Sequence, residues 1–169
     1  MNVVQIHLMM NHVPVVAPVV AGLLLLIGIA VKSQPVMRTG LLTLIAAALF
    51  ALPVYFTGEP VEEVAEKLPG VTKSSIETHE SSAKATVVLL GVLGAASIAV
   101  LFAYRRRAFP LGVGGAMLAL CLVAAGQVAW TAHLGGQIRH TELTNGAASG
   151  GGAAEGSGEA GERGGEDDD

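Results

Sequence analysis

The sequence predicts an all-α fold, an integral membrane four-helix bundle with a short amphipathic helix in its outer loop. Composition is the first reason: 51% of the 169 residues are hydrophobic and only 14% are charged, the balance of a chain solvated by lipid. Grouping is the second. The apolar residues gather in four runs, 13–31, 37–56, 85–104 and 109–132, each covering about 30 Å of hydrocarbon at about 1.5 Å per helical residue. Continuous runs of this length are helices, because the strands of a membrane barrel alternate in hydropathy over about ten residues.

The chain divides into an outer N-terminal segment, 1–12, a four-transmembrane-helix domain, 13–140, and an acidic Gly-rich tail, 141–169. No basic residue precedes Lys32, so the first span reads as an uncleaved helix and not as a secretory signal. Pro14, Pro18 and Pro53 lie near span ends, where a missing amide donor is tolerated, and Pro110 opens the fourth span. Small residues crowd the spans: Ala46 to Ala48 and Ala51 in the second, Gly91 and Gly94 to Ala96 in the third, Gly112, Gly114, Gly115 and Gly126 in the fourth. They permit close helix contact or leave room for a flat cofactor. Cys121 lies inside the fourth span as a packing residue, and Gln127 in the same span is expected to hydrogen-bond between helices.

Orientation follows from the basic residues. Lys32 and Arg38 flank the first connection and Arg105, Arg106 and Arg107 form the third, so both connections are expected on the cytoplasmic side of a bacterial inner membrane, with both termini extracytoplasmic. Tyr55, Phe56 and Trp130 would anchor the outer edge, and Phe102, Tyr104 and Phe109 the inner one. The outer loop, 57–84, is acidic. Pro60 starts a surface helix with Val61, Val64, Ala65 and Leu68 on one stripe, ended by Pro69-Gly70. Ser74 and Glu77 then have capping-box spacing, and Ile76, His79, Ala83 and Val87 share a face leading into the third span. The segment 146–169 holds seven acids and one arginine, leaving residues 1–145 with two excess positive charges. Such a tail is disordered by composition. The arginine triplet at a membrane boundary is no nucleic-acid interface.

All five histidines fall at the outer end. His7 and His12 precede the first span, five residues and about 140° apart on a continuous helix, so one faces inward while the other lies along the interface. His79 precedes the third span and points to the bundle, with Glu80 beside it. His133 follows the fourth span, and Gly135-Gly136 separates it from His140, making continuation of that helix doubtful. Imidazoles from separate stretches meeting at one membrane face suggest a haem iron, a metal ion or a proton path.

His7-x4-His12-x-Pro14, His79-Glu80 and His133-x-Gly135-Gly136 together resemble the pattern of an uncharacterised bacterial family of small four-helix membrane proteins, over about residues 5 to 140. That family has proline after the first histidine, where this chain has Leu8. Its plan is similar to that of b-type cytochromes with four-helix cores, which implies haem ligation. The leading expectation is therefore haem b held by two of His12, His79 and His133, with His7 and His140 as further ligands, exchanging electrons with a periplasmic or quinone partner. A zinc, copper or iron ion on His12, His79, His133 and Glu80 is the first alternative. The second is an accessory or scaffold subunit of a larger membrane complex, its histidines bonded to carbonyls or lipid headgroups. Hydrolysis is not expected, since no HExxH, Ser-His-Asp, phosphate-loop or dinucleotide pattern occurs.

Overall fold

The computed structural model describes residues 2–139. Over them the chain is helical without a strand, in the order α1 (Val3–Met10), α2 (His12–Ala30), α3 (Gln34–Phe56), α4 (Glu59–Ala65), α5 (Lys73–Ala103) and α6 (Leu111–Arg139). Four stretches, Val3–Ala30, Gln34–Phe56, Lys73–Ala103 and Leu111–Ile138, are long and apolar enough to cross a membrane, so the protein is a multi-pass bundle.

α1 starts with a reciprocal cap: Asn2 Oδ1 accepts from Gln5 N at 2.9 Å, and Asn2 N donates to Gln5 Oε1 at 3.2 Å. It ends at Asn11, whose backbone stays helical (φ −59°, ψ −27°), so α2 follows after a local break. The reversal from α2 to α3 is tight. Ser33 N reaches Gly28 O at 2.8 Å, and Lys32 takes a positive φ of 52°, a conformation that costs a residue with a Cβ about 1 kcal/mol or more.

The buried positions of α2 (Pro14, Pro18, Ala21, Leu25, Gly28) and α3 (Met37, Leu41, Leu44, Ala47, Ala51) recur every three or four residues, so each helix turns one stripe inward. α2 packs on α3 and α6, and α5 packs on the same two, closing a four-cornered bundle around Leu25, Met37, Leu41, Leu44, Leu90 and Cys121. The opposite faces carry Leu23, Leu49, Val92 and Leu122, each more than half exposed. Lipid tails are as apolar as these side chains, so helix association here depends on close van der Waals contact and not on excluding water. Glycine supplies the closest approaches. A Cβ at Gly28 would lie 2.8 Å from Met37 N, and one at Gly94 would lie 2.6 Å from Ala48 Cβ.

The end that carries the α2–α3 and α5–α6 connections is locked by side chains. Gln34 Nε2 donates to Phe109 O at 3.0 Å, and Gln34 Oε1 accepts from Phe109 N at 3.1 Å. Arg38 donates to Tyr104 O at 2.6 Å and Arg107 O at 3.0 Å, satisfying carbonyls that the end of α5 leaves open. Phe109, expected as a membrane anchor, is therefore buried (2% exposed), because the chain must turn inward to reach Gln34.

Three boundaries differ from expectation. α5 begins at Lys73, a dozen residues before the apolar run, capped by Thr72, whose side chain accepts from Ser75 N at 3.2 Å; the Ser74–Glu77 spacing is not the cap. α6 continues through Gly135-Gly136 to Arg139. The surface helix appears as α4, one residue before Pro60 and ending at Ala65.

Gly28→Ala should destabilise the bundle by about 1–3 kcal/mol, the usual range for overpacking, since the Met37 backbone cannot yield. Gly91 has open space around its Cβ position, so Gly91→Ala should be neutral or stabilising by up to about 1 kcal/mol. Reversible unfolding in mixed micelles reads both, and equal effects would contradict the packing described.

Candidate functional site

At the end opposite the arginine connections, the helices splay around a cavity of about 820 Å³ whose wall takes residues from α1 to α6, within the range of small-molecule sites. Most of the wall is apolar, with Leu8, Pro14, Val54, Val87 and Val128 among it. Polar groups are few: His7 and Asn11 from the first membrane stretch, Tyr55 from α3, Glu59 and Glu62 from α4, His79, Glu80 and Thr86 from α5, and Thr131 from α6.

Two of the expected histidines meet in this cavity. His7 lines the cavity from α1, and its Nδ1 lies 3.0 Å from Thr57 Oγ1. Thr57 has one hydroxyl proton, and the carbonyls of Pro53 at 2.7 Å and Val54 at 3.1 Å take it. In the tautomer that donates Nδ1–H to this hydroxyl oxygen, Nε2 of the neutral ring carries the lone pair. This is the tautomer that a hydrogen bond on one ring nitrogen selects to prepare the other for a ligand.

His79 sits on the wall formed by α5 and α6. Its imidazole lies flat against Gly135, where a Cβ would approach Cε1 to 3.0 Å. Its Nδ1 is buried without a hydrogen-bond partner. A buried polar nitrogen left unpaired costs about 1–3 kcal/mol, and among the described residues His79 Nδ1 is the buried side-chain atom in that position. Gly135 thus gives the imidazole a bed on a continuing helix and does not form a turn.

His12 and His133 are not brought to the cavity wall. His12 is exposed and its Nδ1 donates to Leu8 O at 2.8 Å, one turn back. His133 is exposed beside Trp130, and Gln137 Nε2 donates to its Nε2 at 3.1 Å. The five-residue spacing that turns His7 inward turns His12 outward, and His133 is two residues from Gly135 on the same helix, hence on another face. Glu80 lines the cavity while remaining largely exposed. His140 lies outside the described residues. Among the described residues no three His, Cys, Asp or Glu side chains gather closely enough to hold a metal ion.

The charge of the wall is one-sided. Glu59, Glu62 and Glu80 line it, and among the described residues no Lys or Arg does. Partial burial pushes the Glu62 carboxyl above its ordinary range, with repulsion from Glu80, Glu59 and Glu66 adding to it.

The sequence reading did not single out a hydroxyl cluster between α5 and α6. Ser82 Oγ lies 2.7 Å from Thr131 Oγ1, and Thr86 Oγ1 lies 2.8 Å from the same atom. Gln127 Nε2 donates to Ser82 Oγ at 3.1 Å, the interhelical bond expected of Gln127. The signal was available as Ser82/Thr86 and Gln127/Thr131, two polar pairs at i, i+4 in otherwise apolar helices. No protein-family model, curated protein or solved structure matches the chain.

Gly135→Val should push the His79 ring out of its bed while leaving helix content unchanged, seen as a changed His79 side-chain resonance in NMR of selectively labelled protein; an unmoved signal would refute the contact. The Glu62 shift sets a pH dependence for α4. Its folded-state pKa lies above the unfolded one, so its contribution is fully favourable below the ordinary carboxylate value of 4.5 and is lost as pH rises through the folded value. Amide exchange in α4 should accelerate across that window, and Glu62→Gln should flatten the dependence.

Proposed function

We propose that this protein is a ligand-binding, electron-transfer protein of the bacterial cytoplasmic membrane, with both termini extracytoplasmic, and that its ligand is the headgroup of a lipid-soluble quinone or hydroquinone. The observation that carries the reading is the pair of imidazoles on one apolar cavity: His7 with a free Nε2 lone pair, and His79 with a buried nitrogen lacking a partner. A hydroquinone has an apolar ring, a hydrocarbon tail that keeps it in the bilayer, and two hydroxyl groups. His7 Nε2 is suited to accept one hydroxyl proton and Tyr55 offers a phenol to the ring's other oxygen. A neutral headgroup also tolerates the three carboxylates of the wall, which would repel an anion.

Haem b is the second reading, and the specific observation in its favour is that the two imidazoles come from separate helices. The ligand pair would then be His7 and His79, with His12 and His133 out of reach of the cavity. The wall suits the porphyrin less well, because two propionates need cationic partners and the described residues of the wall include no Lys or Arg.

Protein purified in mild detergent should release quinone on solvent extraction in near-equal molar amount, and should bind a short-tail quinone analogue with an affinity that falls about tenfold or more in His7→Ala and His79→Ala, the loss of one good hydrogen bond. His12→Ala and His133→Ala should bind as the parent does. A Soret band that disappears in His7→Ala would instead establish haem, and absence of both quinone and haem would sink the electron-transfer reading.

A further inference from the structure

The Ser82–Thr131–Thr86 hydroxyls lie where two separate hollows come nearest through the α5–α6 wall. Thr131 and Thr86 line the ligand cavity together with His79. Ser82 lines a second, open crevice on the other side of the wall, whose rim holds Ser74, Glu77, Thr78 and Ser81 from the polar start of α5. Ser82 lines that polar crevice and bonds directly to the cavity-lining Thr131 at 2.7 Å.

The hydrogen-bond directions order the chain. Gln127 Nε2 can only donate, so Ser82 Oγ is an acceptor toward it at 3.1 Å, and the Ser82 hydroxyl proton is free to point at Thr131 Oγ1, 2.7 Å away. Thr131 can pass its own proton to Thr86 Oγ1 at 2.8 Å, its other acceptor being the Gln127 carbonyl at 3.1 Å. The Thr86 proton then faces the cavity. All three hydroxyls can donate in one direction, from crevice to cavity. Helix adhesion alone does not account for this arrangement: hydrogen bonds between membrane helices contribute only about 0.6 kcal/mol each on average, and adhesion does not require the donors to line up between two hollows.

We infer that Ser82, Thr131 and Thr86 form a proton route from the crevice to the ligand cavity, which couples reduction of the bound quinone to proton uptake from water. This rests on the quinone reading above. Reduction of the quinone by two electrons from an external donor requires two protons. For each, a crevice water gives a proton to Ser82 Oγ, Ser82 passes its own to Thr131, Thr131 to Thr86, and Thr86 to the ligand oxygen. The three hydroxyls then rotate back. The titratable groups facing this end of the route are His79 and Glu80 on α5, His7 on α1 and Glu59 and Glu62 on α4, with Glu77 at the crevice.

The test uses the full chain in lipid nanodiscs, loaded with a short-tail ubiquinone analogue and reduced in a stopped-flow instrument by reduced methyl viologen, a one-electron donor that releases no proton, with a pH dye following protons and visible absorbance following viologen oxidation. Ser82 is outside the ligand cavity, so Ser82→Ala should bind the analogue as the parent does while proton uptake slows on the order of tenfold. Thr131→Val should slow it similarly, and Ser82→Thr, which keeps the hydroxyl, should restore the parent rate. A merely structural role would lower thermal stability in Ser82→Ala without changing proton uptake, and that result would overturn the route while leaving the quinone reading intact. Failure of the parent protein to bind the analogue would overturn both.

Discussion

Hydrocarbon offers no hydrogen-bond partner, so every polar group within the bundle must find one inside the protein. That constraint organises the structure from end to end. It explains the Gln34–Phe109 and Arg38–Tyr104 bonds that close one end of the bundle, the Cys121 thiol donating to the Pro18 carbonyl at 3.1 Å, and the Ser97 hydroxyl returned to Leu93 O at 2.8 Å. Against that background the unpartnered Nδ1 of His79 stands out. It lies on the wall of the one large cavity described.

Packing and site are linked through glycine. Where helices touch without a site, as at Gly28 and Gly94, the missing Cβ lets one backbone meet another. At Gly135 the same absence admits an imidazole instead. The bundle is thus tight at the arginine end and open at the α4 end, where α1 and α4 cover what the four long helices leave uncovered. Of these two short helices, α1 carries His7 and α4 carries Glu59 and Glu62 of the cavity wall, so elements with few packing contacts line the cavity, as is common where binding requires motion.

The proposed redox role needs electrons, protons and a lipid-soluble carrier to meet at one place. The cavity offers imidazoles for the carrier, and the α5–α6 hydroxyls offer a route for protons that does not pass through the ligand's own position. Glutamates without cations on the wall favour a neutral headgroup over a dianionic one, and this electrostatic term separates the quinone and haem readings where geometry alone does not.

Element type, span number and the inward stripe of each helix were legible in the amino-acid order, because hydropathy over some twenty residues and a period of 3.6 are local properties. The inward turn of His79 and the opposed faces of His7 and His12 followed from the same periodicity, and so did the interhelical role of Gln127. The choice of His7 over His12, the helical continuation through Gly135-Gly136 and the hydroxyl chain from Ser82 to Thr86 were not legible. Each depends on a contact between residues far apart in the chain: Thr57 beside His7, His79 on Gly135, Thr131 between Ser82 and Thr86. Such contacts arise only when four helices pack at particular depths and rotations, and no single stretch of chain contains that information.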